Sequence, residues 1–134
     1  MSILDVFGLT AKDLYLAPVY TGYGERCCDR ASLREPIQGD GNCLFRCISW
    51  SLCGTQDHHN KIRQKVCDYI EQPTFTTPFL EAGDGSKYIK DSNMRMGDVS
   101  KGIWGTDIEI TAIAKMTGLD VVTFVHGTWM VTNA

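Results

Sequence analysis

Apolar residues recur along this chain with a helical period at first and an extended one towards its end, and stretches of turn-forming residues separate them. Between Cys43 and Cys53, the residues Leu44, Phe45, Cys47, Ile48, Ser51 and Leu52 repeat at helical spacing, and Gly54 follows as a natural stop. The pattern predicts a helix over 43–53, largely buried, with Cys47 in the core. Ile62, Val66 and Ile70 then mark one face of a second helix closed by Pro73, with Lys61, Arg63, Lys65 and Asp68 turned elsewhere and Asp57 as a cap.

Residues 74–102 are rich in Thr, Gly, Asp, Ser and Asn and read as connecting structure, with a short helix near Ser86 to Lys90. Thr106-Asp107-Ile108-Glu109 has the form of a capping box, in which the threonine hydroxyl and the glutamate carboxylate each satisfy a backbone N–H of the first turn. It predicts a helix through Met116, ended by Gly118. Leu119 to Val125 is β-branched and nearly all apolar, as a buried central strand would be. Thr128 to Thr132 is its expected partner across a His126-Gly127 turn. Before residue 36, the short apolar runs Ile3 to Phe7 and Leu14 to Val19 are broken by Gly8, Pro18, Gly22 and Gly24, so no long helix is expected. That segment is read as an N-terminal extension, residues 1–35, which wraps the core or hangs from it, with residues 36–134 as the domain proper.

Helices of this kind beside a short sheet make the expected fold class α+β. A chain of 134 residues suffices for one domain that buries roughly two thirds of its unfolded surface. With 43% hydrophobic and 22% charged residues it reads as a globular protein and not as a disordered tail. The net charge of −3 offers no basic footprint for nucleic acid. Neither a signal peptide nor a membrane-length apolar run is evident, so an intracellular setting is expected, cytoplasmic and also compatible with the nucleus.

In such a setting Cys27, Cys28, Cys43, Cys47, Cys53 and Cys67 are read as free thiols. No C-x-x-C pair exists, and a zinc site would need the unusual set Cys27, Cys28, His58 and His59. His58 and His59 are expected instead to lie exposed in a loop, and neither metal nor cofactor is expected.

The chemistry concentrates at Cys43. It opens the first predicted helix, where unpaired backbone N–H groups and the helix dipole favour a thiolate and stabilise a neighbouring anion. Asp40, Gly41 and Asn42 precede it, and a glycine-hinged loop can turn its N–H groups toward an oxygen that becomes negative during acyl transfer. The same residues also admit a plainer reading, in which Asp40 and Asn42 only form a turn or cap and Cys43 packs as an ordinary buried thiol.

The run Asp40-Gly41-Asn42-Cys43-Leu44-Phe45-Arg46 resembles the signature of the ovarian tumour (OTU) family of cysteine proteases. Ile62 to Ile70 and the run from Ile103-Trp104-Gly105 to Ala114 agree with it in order and spacing, and the resemblance extends over about residues 38–132. It implies an OTU-like α+β fold. It also implies a thiol-dependent deubiquitinase that hydrolyses isopeptide bonds at the C-terminal glycine of ubiquitin, with ubiquitin or polyubiquitin as partner. Cys43 would then be the nucleophile, with Gly41 and Asn42 in the oxyanion loop and Asp40 as part of that loop or as the acid. Trp104 and Gly105 would lie near the channel for the substrate tail, although Trp104 reads equally well as a core aromatic.

The chain departs from the family in its base. OTU proteases carry a histidine followed by an aromatic residue on a strand beyond the hairpin that 119–132 resembles, and no such pair occurs before Ala134. His126 is the one late histidine and stands as candidate base, although Gly127 follows it and a turn explains it. The domain is therefore expected to be incomplete at its C-terminus, with an open sheet edge that favours self-association. The alternatives are an OTU fold that holds ubiquitin or a ubiquitin-like protein without cleaving it, and a thiol-rich structural domain unrelated to ubiquitin.

Overall fold

The computed structural model describes residues 6–9, 37–96, 103–125 and 128–134. Among the described residues the framework consists of the helices α1 (Cys43–Cys53), α2 (His59–Ile70), α3 (Gly85–Ser92) and α4 (Asp107–Thr117). A 3-10 turn, Met94–Met96, follows α3, and the strands β1 (Val121–Val125) and β2 (Thr128–Thr132) follow α4. The fold class is α+β, as the hydrophobic pattern predicts.

The central element is α2, which packs against α1, α3, α4 and the 3-10 turn. Its apolar row Ile62, Val66 and Ile70 is fully buried and meets Phe45 of α1, Ile89 of α3 and Ala112 and Ile113 of α4. Phe7 and Leu9 are buried in the same core, so this part of the N-terminal segment is packed into the domain. Burial of each large apolar side chain is worth about 1.5–3 kcal/mol, and most of that gain converges on α2. The first turn of α1 is thereby set on a rigid support.

Helix boundaries follow local sequence. Gly54 and Gly118 take left-handed φ values of 68° and 70° and end α1 and α4 through bonds to Trp50 O and Ala114 O. At the start of α4, Thr106 Oγ1 accepts from Ile108 N at 3.2 Å while Glu109 Oε1 accepts from Thr106 N at 2.6 Å, the reciprocal arrangement that the sequence predicts. Strands β1 and β2 pair antiparallel with Val121 opposite Thr132 and Val125 opposite Thr128, and the hairpin packs on α4.

Several expectations are corrected. Arg63 is fully buried, not turned to solvent, because backbone and side-chain acceptors from two other segments converge on it. Cys47 is exposed, since the buried face of α1 runs through Phe45 and Ser49. Asp57 does not cap α2; His58 is at the N-cap without a side-chain cap bond, and its N–H donates to Ser49 Oγ at 3.1 Å. His58 and His59 are thus partly buried at a helix start and not exposed in a loop. Val121 to Thr123 of β1 are half-buried, and the sheet has two strands among the described residues, so β1 is no buried central strand there. Cys27, Cys28 and the His126-Gly127 turn lie outside the described residues.

Candidate active site

The site is built on the loop that turns into α1. Gly41 has φ 85°, a left-handed conformation that side-chain-bearing residues seldom adopt, and it reverses the chain so that Cys43 starts the helix. Asp40 fixes this turn from one side: its Oδ1 accepts the Asn42 N–H at 3.0 Å. Arg46, one helical turn beyond Cys43, reaches back to Asp40 with a fork of bonds, Nε to both carboxylate oxygens at 3.2 Å and Nη2 to Oδ2 at 2.7 Å. The Arg46 guanidinium, by this hydrogen bonding, holds the Asp40 carboxyl well below the usual carboxylate range. Arg46 is in turn raised above its ordinary value, first by its bond to Asp40.

Asn42 occupies the N-cap position but makes no side-chain cap bond to α1. Its amide oxygen turns inward and accepts from Arg63 Nη2 at 2.9 Å, so the asparagine anchors the loop instead of closing the helix end. As the first helical residue, Cys43 has a backbone N–H with no acceptor inside the helix. The thiol-bearing residue is half-buried, and the helix dipole points its positive end there. An oxyanion that develops beside it gains from that field.

Trp104-Gly105 comes to the same place from the other side. Gly105 lies against Leu44, the residue after Cys43, so closely that a Cβ on Gly105 would stand 3.2 Å from Leu44 Cβ. Trp104 is 70% exposed beside it, so the core-aromatic reading does not hold. This segment leads into the capping box of α4, and the fully buried Glu109 pins it further by accepting from the Tyr88 hydroxyl at 2.7 Å. Burial pushes the Tyr88 phenol above its ordinary value, so Tyr88 remains the donor.

The structure therefore brings Asp40, Gly41, Asn42, Cys43 and Gly105 together, with Trp104 on the rim. His126 lies outside the described residues. Two residues that sequence reasoning did not single out complete the support, Arg46 for Asp40 and Arg63 for the loop backbone. An open cleft of about 540 Å³ lies on the outer side of Arg46, between Ile37 and Trp50, and does not include Cys43. Among the described residues no three metal-ligating side chains cluster, and no helix is long and apolar enough to cross a membrane.

Comparison with known proteins agrees with this geometry. A family model described as OTU-like cysteine protease matches residues 38–126. The chain is 30% identical over 104 residues to the putative ubiquitin thioesterase 232R of Invertebrate iridescent virus 3, covering 72% of this chain and 12% of that protein. It is 34% identical over 82 residues to the OVARIAN TUMOR DOMAIN-containing deubiquitinating enzyme 7 of Arabidopsis thaliana, covering 60% of this chain and 20% of the relative. With the OTU domain-containing protein 3 of Mus musculus it shares 48% identity over 50 residues, 37% of this chain and 12% of that one. The chain thus spans between 12% and 20% of the length of these relatives. No solved structure matches it.

Proposed function

This chain belongs to the OTU-like cysteine protease family, and on that premise we propose that it carries the nucleophile of a deubiquitinase that cleaves isopeptide bonds at the C-terminal glycine of ubiquitin. One observation carries the reading: Cys43 opens α1 directly after the Gly41 turn, at a helix start that no side chain caps. The names of the viral and plant relatives supply the ubiquitin part.

In this reading the Cys43 thiolate attacks the glycine carbonyl carbon, and the carbonyl oxygen becomes an oxyanion at the start of α1. The Cys43 backbone N–H and the helix dipole stabilise it, an effect of the size that costs about 10²–10³ in rate when one such donor is removed. Collapse of the tetrahedral intermediate breaks the C–N bond and releases the lysine amine, which takes a proton from the base. Water then hydrolyses the thioester and regenerates the thiol. The base in this reaction is a histidine, and His126 is the candidate within this chain. Gly105 and Trp104 flank the nucleophile and suit a wall of a narrow channel, since a tail of two glycines fits where larger side chains do not. Asp40, held by Arg46, shapes the loop.

The test is cleavage of an isopeptide-linked ubiquitin dimer by the chain, beside Cys43→Ala and His126→Ala. Cleavage that Cys43→Ala abolishes supports the reading, and a loss of about 10²–10⁴ in His126→Ala assigns the base. Tight ubiquitin binding without cleavage would instead assign a binding module.

A further inference from the structure

The side chain of Arg63 is fully buried in the domain, and its partners lie in two separate segments, residues 41–45 and Met94. Its Nη2 donates to Gly41 O at 3.1 Å and to Asn42 Oδ1 at 2.9 Å, both in the loop ahead of Cys43. Nη1 donates to Met94 O at 3.0 Å and to Met94 Sδ at 3.3 Å. The guanidinium carbon stands 4.3 Å from the centre of the Phe45 ring, two residues beyond Cys43. Nε has no hydrogen-bond partner among the described residues.

We propose that Arg63 is a positioning residue for the acyl transfer above, locking the Gly41–Asn42 peptide plane and with it the direction of the Cys43 amide. The catalytic part of this inference rests on the deubiquitinase reading.

A trans peptide presents its C=O and N–H in opposite directions. Here the carbonyl end of the Gly41–Asn42 plane is held by Arg63 and the N–H end by Asp40 Oδ1 at 3.0 Å. Rotation of the plane would break bonds at both ends at once. Without them the loop would be free to turn, because Gly41 at φ 85° carries no side chain to resist it. The next amide in the chain is that of Cys43.

Stability alone does not explain an arginine at this position. Burying a guanidinium is costly, and even a buried ion pair often adds no net stability over a well-packed apolar set. The acceptors around Arg63 among the described residues are two carbonyls, an amide oxygen and a thioether, none of them a carboxylate that would repay its desolvation. What the planar fork of arginine provides is simultaneous, directed bonding to several acceptors, which a lysine ammonium cannot reproduce.

The far end is braced as well. Arg95, within the 3-10 turn, bonds to Asp68 on α2 at 2.7 Å and to Glu71 at its C-cap at 3.0 Å, while Gln64 Nε2 donates to Arg95 O at 2.8 Å. Met94 is thus fixed to the same helix that carries Arg63, and the loop is tied through Arg63 to the rigid centre of the domain.

The test uses the 134-residue chain and Arg63→Lys, with Asn42→Ala as a milder variant should the first not fold. Amide hydrogen exchange reads the lock directly: the residue-42 N–H should exchange about tenfold faster or more, with the amides of α4 unchanged. Acylation of Cys43 by a ubiquitin C-terminal thioester should slow about 10²-fold, while alkylation by iodoacetamide, which needs no oxyanion donor, stays within about twofold. Unchanged residue-42 exchange in a folded variant overturns the proposal. Alkylation slowed in step with acylation also overturns it, because Arg63 would then act on the thiol and not on the loop. A wild-type chain that accepts no acyl group refutes the deubiquitinase reading, and the exchange measurement still decides the lock.

Discussion

Gly105 rests on Leu44, and a methyl group added to Gly105 would overlap Leu44 Cδ2. Leu44 follows Cys43 in the first turn of α1, so the α4 approach segment packs directly against that turn. Gly105→Ala is therefore expected to destabilise the domain by about 1–3 kcal/mol, the usual range for overpacking. The denaturant midpoint measures this. Because the displaced residue adjoins Cys43, acylation should fall by more than the lost folded fraction accounts for.

The Asp40–Arg46 pair sets a pH dependence. The carboxyl of Asp40 is held well below its ordinary range by the Arg46 fork. A group depressed in the folded state contributes stability that is fully present above its unfolded pKa, about 4, and is lost as pH falls through the folded value. Asp40→Asn should cost about 1–3 kcal/mol at pH 7 through the loss of charge-assisted bonds, and the difference from wild type should shrink progressively as pH falls below about 4. Urea unfolding of both chains between pH 7 and pH 2.5 checks the sign.

Tyr88→Phe removes the hydroxyl that donates to buried Glu109 and leaves one carboxylate oxygen with fewer partners. The expected cost is about 1.5–3 kcal/mol, the range for a hydrogen bond to a charged group. Glu109 Oε1 also accepts from the Thr106 N–H and hydroxyl, so local exchange at Thr106 should rise with the loss of Tyr88. Hydrogen exchange at residues 104–109 and a thermal melt measure the two effects.

Local rules made much of this fold legible. The Gly54 and Gly118 stops, the Thr106–Glu109 box and the 43–53 helix all depend on residues within a few positions of one another. The turn from Asp40 to Cys43 is legible for the same reason, since Gly41 and the Asp40–Asn42 bond lie next to one another in the chain. The misreadings share a different cause. Periodicity turns Arg63 away from the apolar face of α2, because its acceptors lie 21 to 31 positions away, where no periodicity reaches. A faint signal existed, since Arg63, Cys67 and Ile70 form a second row beside Ile62 and Val66, and all five are buried. His58 and His59 were read as exposed because the polar composition of 54–60 conceals the contact of that loop with Ser49. Composition showed a loop, whereas tertiary packing decided which side of it faces the core.

In the proposed reaction Cys43, presented by the Gly41 turn at the start of α1, is the thiol that meets the C-terminus of ubiquitin. The most direct measurement is reaction of the chain with ubiquitin bearing a C-terminal electrophile, followed by peptide mapping of the adduct and run beside Cys43→Ser. The account predicts a single adduct located at Cys43 and none with Cys43→Ser, while Cys67, buried and with its thiol pushed up to about 11, stays unmodified. Adducts spread over several cysteines, or none on a folded chain, would contradict it.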